Sequence, residues 1–163
     1  MPGWSLTQRC AALSLADFRD RGTMKLRLVS IVGQTATGKS ALGLALARKF
    51  DGEIVSCDST AVYRGFDIGT DKVPASLRRE VPHHLIDVAE PTEVYSAARY
   101  AQDANEVIRD ISARGKLPIL VGGTGLYYRA LTRGLFQDRP VMIGFVVSWP
   151  TSPVAEGLRL YIR

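Results

Sequence analysis

Short apolar runs alternate with amphipathic segments along most of the chain. The run at residues 26–32, LRLVSIV, is rich in aliphatic and β-branched residues and predicts a buried parallel strand. Residues 40–50, SALGLALARKF, have apolar positions at helical spacing and predict a helix. Three further runs predict strands: EIVSCD, HHLIDV and LPILVGG.

Two more helices are predicted in the second half of the pattern. The segment YSAARYAQDANEVIRDISARG ends at Gly115, a typical residue just past a helix. Its predicted buried face consists of Ala98, Ala101, Ala104, Val107, Ile108 and Ile111. The segment TGLYYRALTRGL predicts a short helix that begins at a glycine turn. Alternating strands and helices predict an α/β fold with a parallel sheet and helices on both of its faces.

The two ends of the chain do not share this pattern. Residues 1–23 carry no strand or glycine-loop signal, so we expect a disordered extension, with Met24 as a candidate true start. Residues 24–140 form the predicted core. After Pro140 no helical or alternating pattern continues the domain. Residues 141–163 are predicted to be a divergent tail, produced by a truncation or a reading-frame shift near that proline.

Composition narrows the class of protein without naming a function. The 163 residues correspond to one domain, and 46% hydrophobic with 23% charged residues is typical of a soluble globular protein. No apolar run reaches the length of a membrane span. The net charge of +5 permits a nucleic-acid partner without requiring one. Cys10 and Cys57 provide no disulfide framework, which favours a reducing compartment.

The first glycine turn has the spacing of a phosphate-binding loop. Gly33 is followed by four residues and then by Gly38, Lys39 and Ser40, between a predicted strand and a predicted helix. In such a loop, backbone N–H groups contact phosphate oxygens, Lys39 reaches the terminal phosphates and the Ser40 hydroxyl holds Mg2+. An ordinary glycine turn is the alternative, and the full spacing in this context disfavours it. Together with the alternating strands and helices, the loop predicts an α/β fold of the P-loop NTPase-like type.

Two other turns follow predicted strands and are expected to reach the same edge of the sheet. One carries Asp58, for which three roles stay open: magnesium ligand, general base, or cap of a turn or helix. The other is GGTG, in which Thr124 either donates its hydroxyl to a substrate or caps the following helix. The adjacent His83 and His84 are not expected to bind one metal ion.

Four blocks in this order resemble the tRNA dimethylallyltransferase (IPP transferase) family: GQTATGKS, DSTAVYRGFDIGTDK, VPHHLIDVAEPTEVYSAARYAQDA and PILVGGTGLYYRAL. The resemblance covers residues 25–140. It implies an enzyme that transfers the dimethylallyl group from dimethylallyl diphosphate to N6 of an adenine beside the tRNA anticodon. It further implies Mg2+ as cofactor, tRNA as partner, no membrane, a monomer and a cytoplasmic location.

The resemblance also implies roles for individual residues. The loop that would hold the donor diphosphate consists of Gly33, Gln34, Thr35, Ala36, Thr37, Gly38, Lys39 and Ser40. Asp58 would be the general base for N6, and Thr124 would contact the substrate near the reacting centre. The segment that would contact tRNA consists of Asp58, Ser59, Thr60 and Ala61, together with Thr124.

The chain departs from the family pattern in two ways. Ala61 stands where the family usually has glutamine, and family members continue with a basic helical region that grips tRNA. Three other functions therefore stay open. They are an adenylate isopentenyltransferase acting on free AMP, ADP or ATP, a small-molecule P-loop kinase that binds ATP, and a remnant that binds diphosphate without turnover.

Overall fold

The computed structural model describes residues 27–34, 36–70, 72–133, 143–148 and 159–162. Strands and helices alternate through these residues. The strands are β1 (Arg27–Val32), β2 (Gly52–Cys57), β3 (His83–His84), β4 (Leu117–Gly122), β5 (Ile143–Ser148) and β6 (Arg159–Ile162). The helices are α1 (Lys39–Phe50), α2 (Ala75–Glu80), α3 (Ala97–Ala113) and α4 (Gly125–Arg133).

The strands form one sheet in the order β3-β2-β4-β1-β5-β6. All neighbouring pairs are parallel except β5 and β6, which are antiparallel. Strand β4 lies between β1 and β2, although it follows both of them in the chain. The predicted parallel α/β sheet is confirmed.

Apolar clusters cover the two faces of the sheet. On one face, α1 packs against strand residues, and the cluster includes Leu42, Leu46, Phe50, Val29, Ile31, Ile54, Ile119 and Val121. On the other face, α3 and α4 pack against a second set, which includes Tyr100, Ile108, Ile111, Tyr127, Leu131, Leu28, Val55 and Leu120. Because successive strand residues point to opposite faces, Ile119 and Val121 belong to one cluster and Leu120 to the other. The prediction of helices on both faces is therefore confirmed.

Helix α3 buries a slightly different face from the predicted one. Ala101, Ala104, Ile108 and Ile111 are buried as predicted. Ala98, however, is exposed, so the prediction that it lies on the buried face was wrong. Tyr100 is fully buried instead, because it lies four residues before Ala104 on the same helical row. Ser96 caps the helix by accepting a hydrogen bond from the backbone N–H of Arg99 at 3.1 Å.

The third predicted strand is shorter than its apolar run. Within the run HHLIDV, only His83 and His84 pair with β2. Leu85 and Asp87 then adopt positive φ angles of 61° and 58°, which end the extended conformation. Residues 59–74, apart from residue 71, which lies outside the described residues, form a loop that extends to the start of α2.

The sheet continues beyond Pro140. The backbone of β5 pairs with β1 along its whole length, from Arg27↔Ile143 to Val32↔Ser148. Strand β6 then pairs with β5. The sequence pattern did not predict these two strands. The limits of the segments 1–23, 24–140 and 141–163, and the origin of the last one, stay predictions.

Candidate active site

Three loops meet at the carboxyl edge of the sheet. The P-loop (residues 33–40) follows β1, the Asp58 turn (residues 58–61) follows β2, and the glycine turn (residues 122–125) follows β4. The last residues of the strands are in register, since Gly122 lies opposite both Val32 and Cys57. The parallel register therefore brings the three predicted motifs together, at the edge where doubly wound sheets bind ligands.

The glycine turn fits closely between the other two loops. A Cβ on Gly122 would lie 2.2 Å from the carbonyl oxygen of Cys57, so no other residue fits there without a shift of the backbone. A Cβ on Gly123 would lie 3.2 Å from the carbonyl oxygen of Gly33. The backbone N–H of Thr124 donates to the Cys57 carbonyl at 3.1 Å.

The P-loop presents the start of α1 to the site. Gly38, the residue before the helix, has a φ of 84°, a left-handed conformation that glycine adopts without strain. Among the residues that the structure describes, no side chain caps this helix start, and the first turn of α1 contains no acidic residue. The first backbone N–H groups of α1 and its partial positive charge thus remain suited to an anion.

Lys39 lies over the P-loop. Its side chain is largely buried, and its ammonium donates to the Gln34 carbonyl and, at 3.5 Å, to the Thr37 hydroxyl. The Thr37 hydroxyl also donates to the Gln34 carbonyl, at 2.8 Å. Gln34, Ala36, Gly38 and Ser40 are exposed, and Gly33 and Thr37 are partly buried. Thr35 lies outside the described residues.

Asp58 organises the turn that it begins. Its Oδ1 accepts hydrogen bonds from the Thr60 N–H at 2.8 Å, the Thr60 hydroxyl at 2.7 Å and the Ala61 N–H at 3.3 Å. These are the contacts of an Asx turn, so one of the three roles considered for this carboxylate, the turn cap, is realised. Within the described ranges, Oδ2 has no hydrogen-bond donor and no cation pairs with Asp58.

Thr124 links the glycine turn to the Asp58 turn. Its hydroxyl oxygen accepts a hydrogen bond from the Ser59 N–H at 2.9 Å, and the hydroxyl lies 3.3 Å from Ser59 Oγ. Two residues that are 65 positions apart in sequence therefore meet. The two roles considered for Thr124 were contact with a substrate and capping of α4; in the described residues its hydroxyl contacts Ser59 across the site, and its role toward a substrate stays a prediction.

The residues expected to contact tRNA differ in exposure. Thr60 is exposed and Ser59 is partly buried. Ala61 is 5% exposed, and its carbonyl accepts a hydrogen bond from the Asp87 N–H at 3.0 Å. The methyl group at this position therefore faces protein. The roles of these residues toward tRNA stay predictions.

A cluster of four charged residues beside the Asp58 turn was missed in the sequence. We call it the loop clamp: Asp67, Lys72, Arg78 and Asp87. Burial lowers the pKa of Lys72, but hydrogen bonds to Asp67 and Asp87 outweigh it and raise that pKa above its usual value. Burial raises the pKa of Asp87, but Lys72 and Arg78 lower it below its ordinary value. Asp67 and Lys72 lie in the polar loop, Arg78 in α2 and Asp87 after β3, and charges scattered in this way have no periodicity that a sequence pattern could show.

Two buried tyrosines donate hydrogen bonds to backbone carbonyls in the core next to the site. Tyr100 donates to the carbonyl of Ser56 at 2.9 Å, and its ring stacks on that of Tyr127 with 4.2 Å between centroids. Tyr127 donates to the carbonyl of Tyr95 at 3.0 Å.

Burial raises the pKa of Cys57 to about 11, so the thiol stays protonated near neutral pH and is a core residue rather than a nucleophile.

The histidine pair has partners of its own. His83 Nδ1 donates to the Val81 carbonyl at 2.6 Å, and His84 Nε2 donates to Glu53 Oε2 at 2.7 Å. In the part of the chain that the structure describes, no three His, Cys, Asp or Glu residues form a possible metal cluster. Searching the same residues, we found no helix that is long and apolar enough to cross a bilayer.

A parallel sheet whose first strand leads through a P-loop into a helix defines a P-loop NTPase-like protein. Comparison with known families narrows this class. A family model described as IPP transferase matches residues 61–149. The chain belongs to the IPP transferase family.

Individual relatives agree with the family match. The chain is 59% identical over 118 residues to a tRNA dimethylallyltransferase of Solibacter usitatus, covering 70% of this chain and 38% of that protein. It is 57% identical over 107 residues to one of Stenotrophomonas maltophilia, covering 66% and 34%. The chain thus spans little more than a third of the length of these relatives.

Solved structures resemble the fold as well. A full-length tRNA isopentenylpyrophosphate transferase from Bacillus halodurans matches with a TM-score of 0.66 and 47% identity, covering 71% of this chain and 38% of that one. A eukaryotic dimethylallyltransferase, described as acting on tRNA, matches with a TM-score of 0.61 and 38% identity, covering 70% and 27%.

Proposed function

We propose that the chain provides the donor-binding and catalytic part of a tRNA dimethylallyltransferase. It would transfer the dimethylallyl group of dimethylallyl diphosphate to N6 of an adenosine beside the tRNA anticodon. The observation that carries this proposal is the meeting of the P-loop, the Asp58 turn and Thr124 at one edge of the sheet, in a member of the IPP transferase family. With tRNA as substrate, the reaction would take place in the cytoplasm.

The P-loop would stabilise a leaving group rather than a transferred phosphoryl group. As the allylic C–O bond breaks, negative charge grows on the diphosphate, and the first N–H groups of α1 are oriented to receive it. Lys39 now donates to the Gln34 carbonyl and the Thr37 hydroxyl. Diphosphate oxygens would replace these acceptors, since ionised acceptors form the stronger hydrogen bonds.

The Asp58 turn would act on the acceptor, the N6 amino group of the adenine. Because three hydrogen bonds hold Oδ1, the carboxylate has a defined orientation, and Oδ2 is the oxygen that would take the proton from N6. N6 forms a bond to the allylic carbon, the carbon–oxygen bond to diphosphate breaks, and the N6 proton passes to Asp58. The adenine must leave its stack to reach this carboxylate, as in other enzymes that act on a base.

The donor set of the P-loop fits Mg2+. The Ser40 hydroxyl is a hard oxygen ligand, exposed at the second residue of α1. In a P-loop the Ser or Thr hydroxyl is a protein ligand of Mg2+, and substrate phosphates and waters supply further ligands. When bound, the ion would neutralise negative charge on the diphosphate.

Recognition of adenine would rest on groups other than residue 61. Ala61 has no amide to offer, and its methyl group is buried. Thr60 is the exposed member of the same turn. Its hydroxyl donates to Asp58, which leaves its lone pairs as acceptors for a nucleotide.

A transfer assay tests the proposal. The chain is incubated with Mg2+ and dimethylallyl diphosphate labelled in the allyl group, and with either unmodified tRNA or AMP. We expect label in tRNA, and Asp58→Asn should reduce its transfer by about a thousandfold. Label in AMP alone would indicate an adenylate isopentenyltransferase. Phosphate transfer from ATP would indicate a kinase, and diphosphate binding without any product would indicate a remnant.

A further inference from the structure

The ammonium group of Lys72 is buried inside a polar loop. The Lys72 side chain is only 2% exposed, although loop lysines normally extend into water. Its Nζ donates to the Tyr63 carbonyl at 2.9 Å, to Asp67 Oδ1 at 2.8 Å and to Asp87 Oδ1 at 2.8 Å. A lysine has three N–H donors, so these acceptors satisfy all of them. The loop is therefore folded around this one group.

Asp87 connects Lys72 to the Asp58 turn. Its carboxylate accepts from Lys72 through Oδ1 and from Arg78 Nη1 through Oδ2, the latter at 2.7 Å. Its backbone N–H donates to the Ala61 carbonyl at 3.0 Å, and the Ala61 N–H donates to Asp58 Oδ1. A continuous series of hydrogen bonds thus runs from the buried ammonium to the carboxylate.

Backbone hydrogen bonds join the same two segments beside this series. The N–H groups of Val88 and Ala89 donate to the Val62 carbonyl at 2.8 and 3.0 Å, and Arg64 N–H donates to the Ala89 carbonyl at 2.9 Å. Lys72 binds the Tyr63 carbonyl within this same stretch. The loop clamp therefore holds the Asp58 turn from its C-terminal side, while Thr124 holds Ser59 on the other side.

We propose that Lys72 is a positioning residue for the transfer reaction. Through Asp87 and the backbone of residues 61–63, it fixes the Asp58 turn so that the carboxylate meets the acceptor nitrogen. Lys72 itself does not touch the substrate. This inference rests on the proposed function for its consequence in catalysis, whereas its effect on the turn is independent of that function.

The contacts of Lys72 separate this role from general support of the fold. Its partners all belong to the loop and to the segment after β3, whereas apolar clusters hold the two faces of the sheet. A neutral residue at position 72 would leave Asp67 and Asp87 without their shared cation. The loop should then loosen while the P-loop and the sheet keep their structure.

The test uses one variant, one conservative variant and one matched control. Lys72→Met removes the ammonium and keeps an unbranched side chain that is one atom shorter, and Lys72→Arg keeps the charge. Lys116→Met is the control, because Lys116 pairs with Asp51 at 3.1 Å and lies at the opposite edge of the sheet. Hydrogen exchange of the Ala61 and Asp87 amides is measured by NMR, beside diphosphate affinity and the kinetics of transfer to tRNA.

In Lys72→Met we expect exchange at Ala61 and Asp87 to accelerate by about tenfold or more, because local opening becomes easier. Diphosphate affinity and KM for the donor should stay unchanged. We expect kcat to fall by about a hundredfold, the effect of a misplaced catalytic group. Lys72→Arg should recover part of both effects, and Lys116→Met should show neither.

Unchanged exchange in Lys72→Met, or equal acceleration in Lys116→Met, would overturn the proposal. So would a loss of diphosphate affinity as large as the loss of kcat, because that would indicate general unfolding. If Lys72→Met does not fold, Asp67→Asn weakens the clamp from its exposed side and should accelerate the same two amides by a smaller factor. If the unmodified chain transfers no label, the proposed function fails, while the exchange rates still decide whether Lys72 holds the turn.

Discussion

At the amino-terminal edge of the sheet charged side chains bind one another, whereas at the carboxyl edge Asp58 binds neutral groups of its own turn. Glu53 at the amino edge is buried and accepts from Arg114 and His84. Asp58 accepts from two backbone N–H groups and a hydroxyl. Paired charges satisfy each other and stabilise the fold. In the described residues no cation neutralises the Asp58 carboxylate, so its negative charge remains available to interact with a substrate.

Changing the charge of one carboxylate at each edge should separate activity from stability. Asp58→Asn keeps an oxygen that can accept the hydrogen bonds of the turn and removes the general base. We expect transfer to tRNA to fall by about a thousandfold, within the usual range for loss of such a base, with donor affinity unchanged. Label transfer and titration with inorganic diphosphate measure the two effects.

Asp51→Asn is the control for that change, because Asp51 lies in the turn between α1 and β2, away from the site. It should leave transfer unchanged. An equal loss of donor affinity and of transfer in Asp58→Asn would contradict the role of base, and would indicate a metal ligand or a purely structural cap.

Acid should destabilise the amino edge through Glu53. Arg114, which outweighs the opposing effect of burial, and His84 lower the pKa of Glu53 to about 2. Between that value and its unfolded value of 4.5, the unfolded chain binds more protons, so stability rises with pH in this window. The contribution is complete above pH 4.5 and is lost as the pH falls toward 2. It amounts to about 3 kcal/mol in the free energy of unfolding.

Urea unfolding between pH 3 and pH 7 measures this contribution. Glu53→Gln should be less stable than the unmodified chain at pH 7, and the difference should shrink as the pH falls. A difference that is the same at every pH would show that the carboxylate charge does not stabilise this edge.

Removing the P-loop cation should affect binding more than folding. Lys39→Ala deletes a charged donor beside the first turn of α1, and we expect the affinity for inorganic diphosphate with Mg2+ to fall by about ten- to a hundredfold. Lys49→Ala, in the last turn of the same helix, is the control and should leave affinity unchanged. Calorimetric titration compares the two. Equal affinities in both variants would remove Lys39 from the proposed diphosphate site.

The smallest expected effect concerns the link across the site. Thr124→Val removes the acceptor of the Ser59 N–H and should lower the free energy of unfolding by about 1 kcal/mol. Thr132→Val, on the exposed side of α4, loses a 2.8 Å hydrogen bond to the Tyr128 carbonyl and should lower the free energy of unfolding by less. Urea unfolding measures both. A loss of transfer in Thr124→Val without any loss of stability would instead indicate a direct contact with the substrate.

Local features of this molecule were readable from sequence, and the contacts between them were not. The P-loop spacing lies between a strand and a helix within some twenty residues, so its context was visible in one stretch. The contact of Thr124 with Ser59 depends on the insertion of β4 between β1 and β2, a strand order that periodicity does not report.

Other features were missed because they carry no apolar pattern. Helix α2 has no buried residue, and the loop clamp consists of charged residues from three separate segments: the polar loop, α2 and the segment after β3. The Asx turn of Asp58 was one of three roles considered, and only the geometry of Thr60 and Ala61 identified it. The exposure of Ala98 shows that a small apolar residue does not define a buried face by itself.

The position of β4 has a consequence for the order of events during protein synthesis. Strands β1 and β2 do not pair with each other in the sheet and are joined by β4, which is made after both. Ser59 and Thr124 are 65 residues apart, so at ordinary rates of translation about 3 to 13 seconds pass between them. During that interval β3 can cover one edge of β2, but the edges of β1 and β2 that face β4 in the finished sheet stay open. The residues that complete the site therefore belong to the segment that closes these two edges to wrong partners.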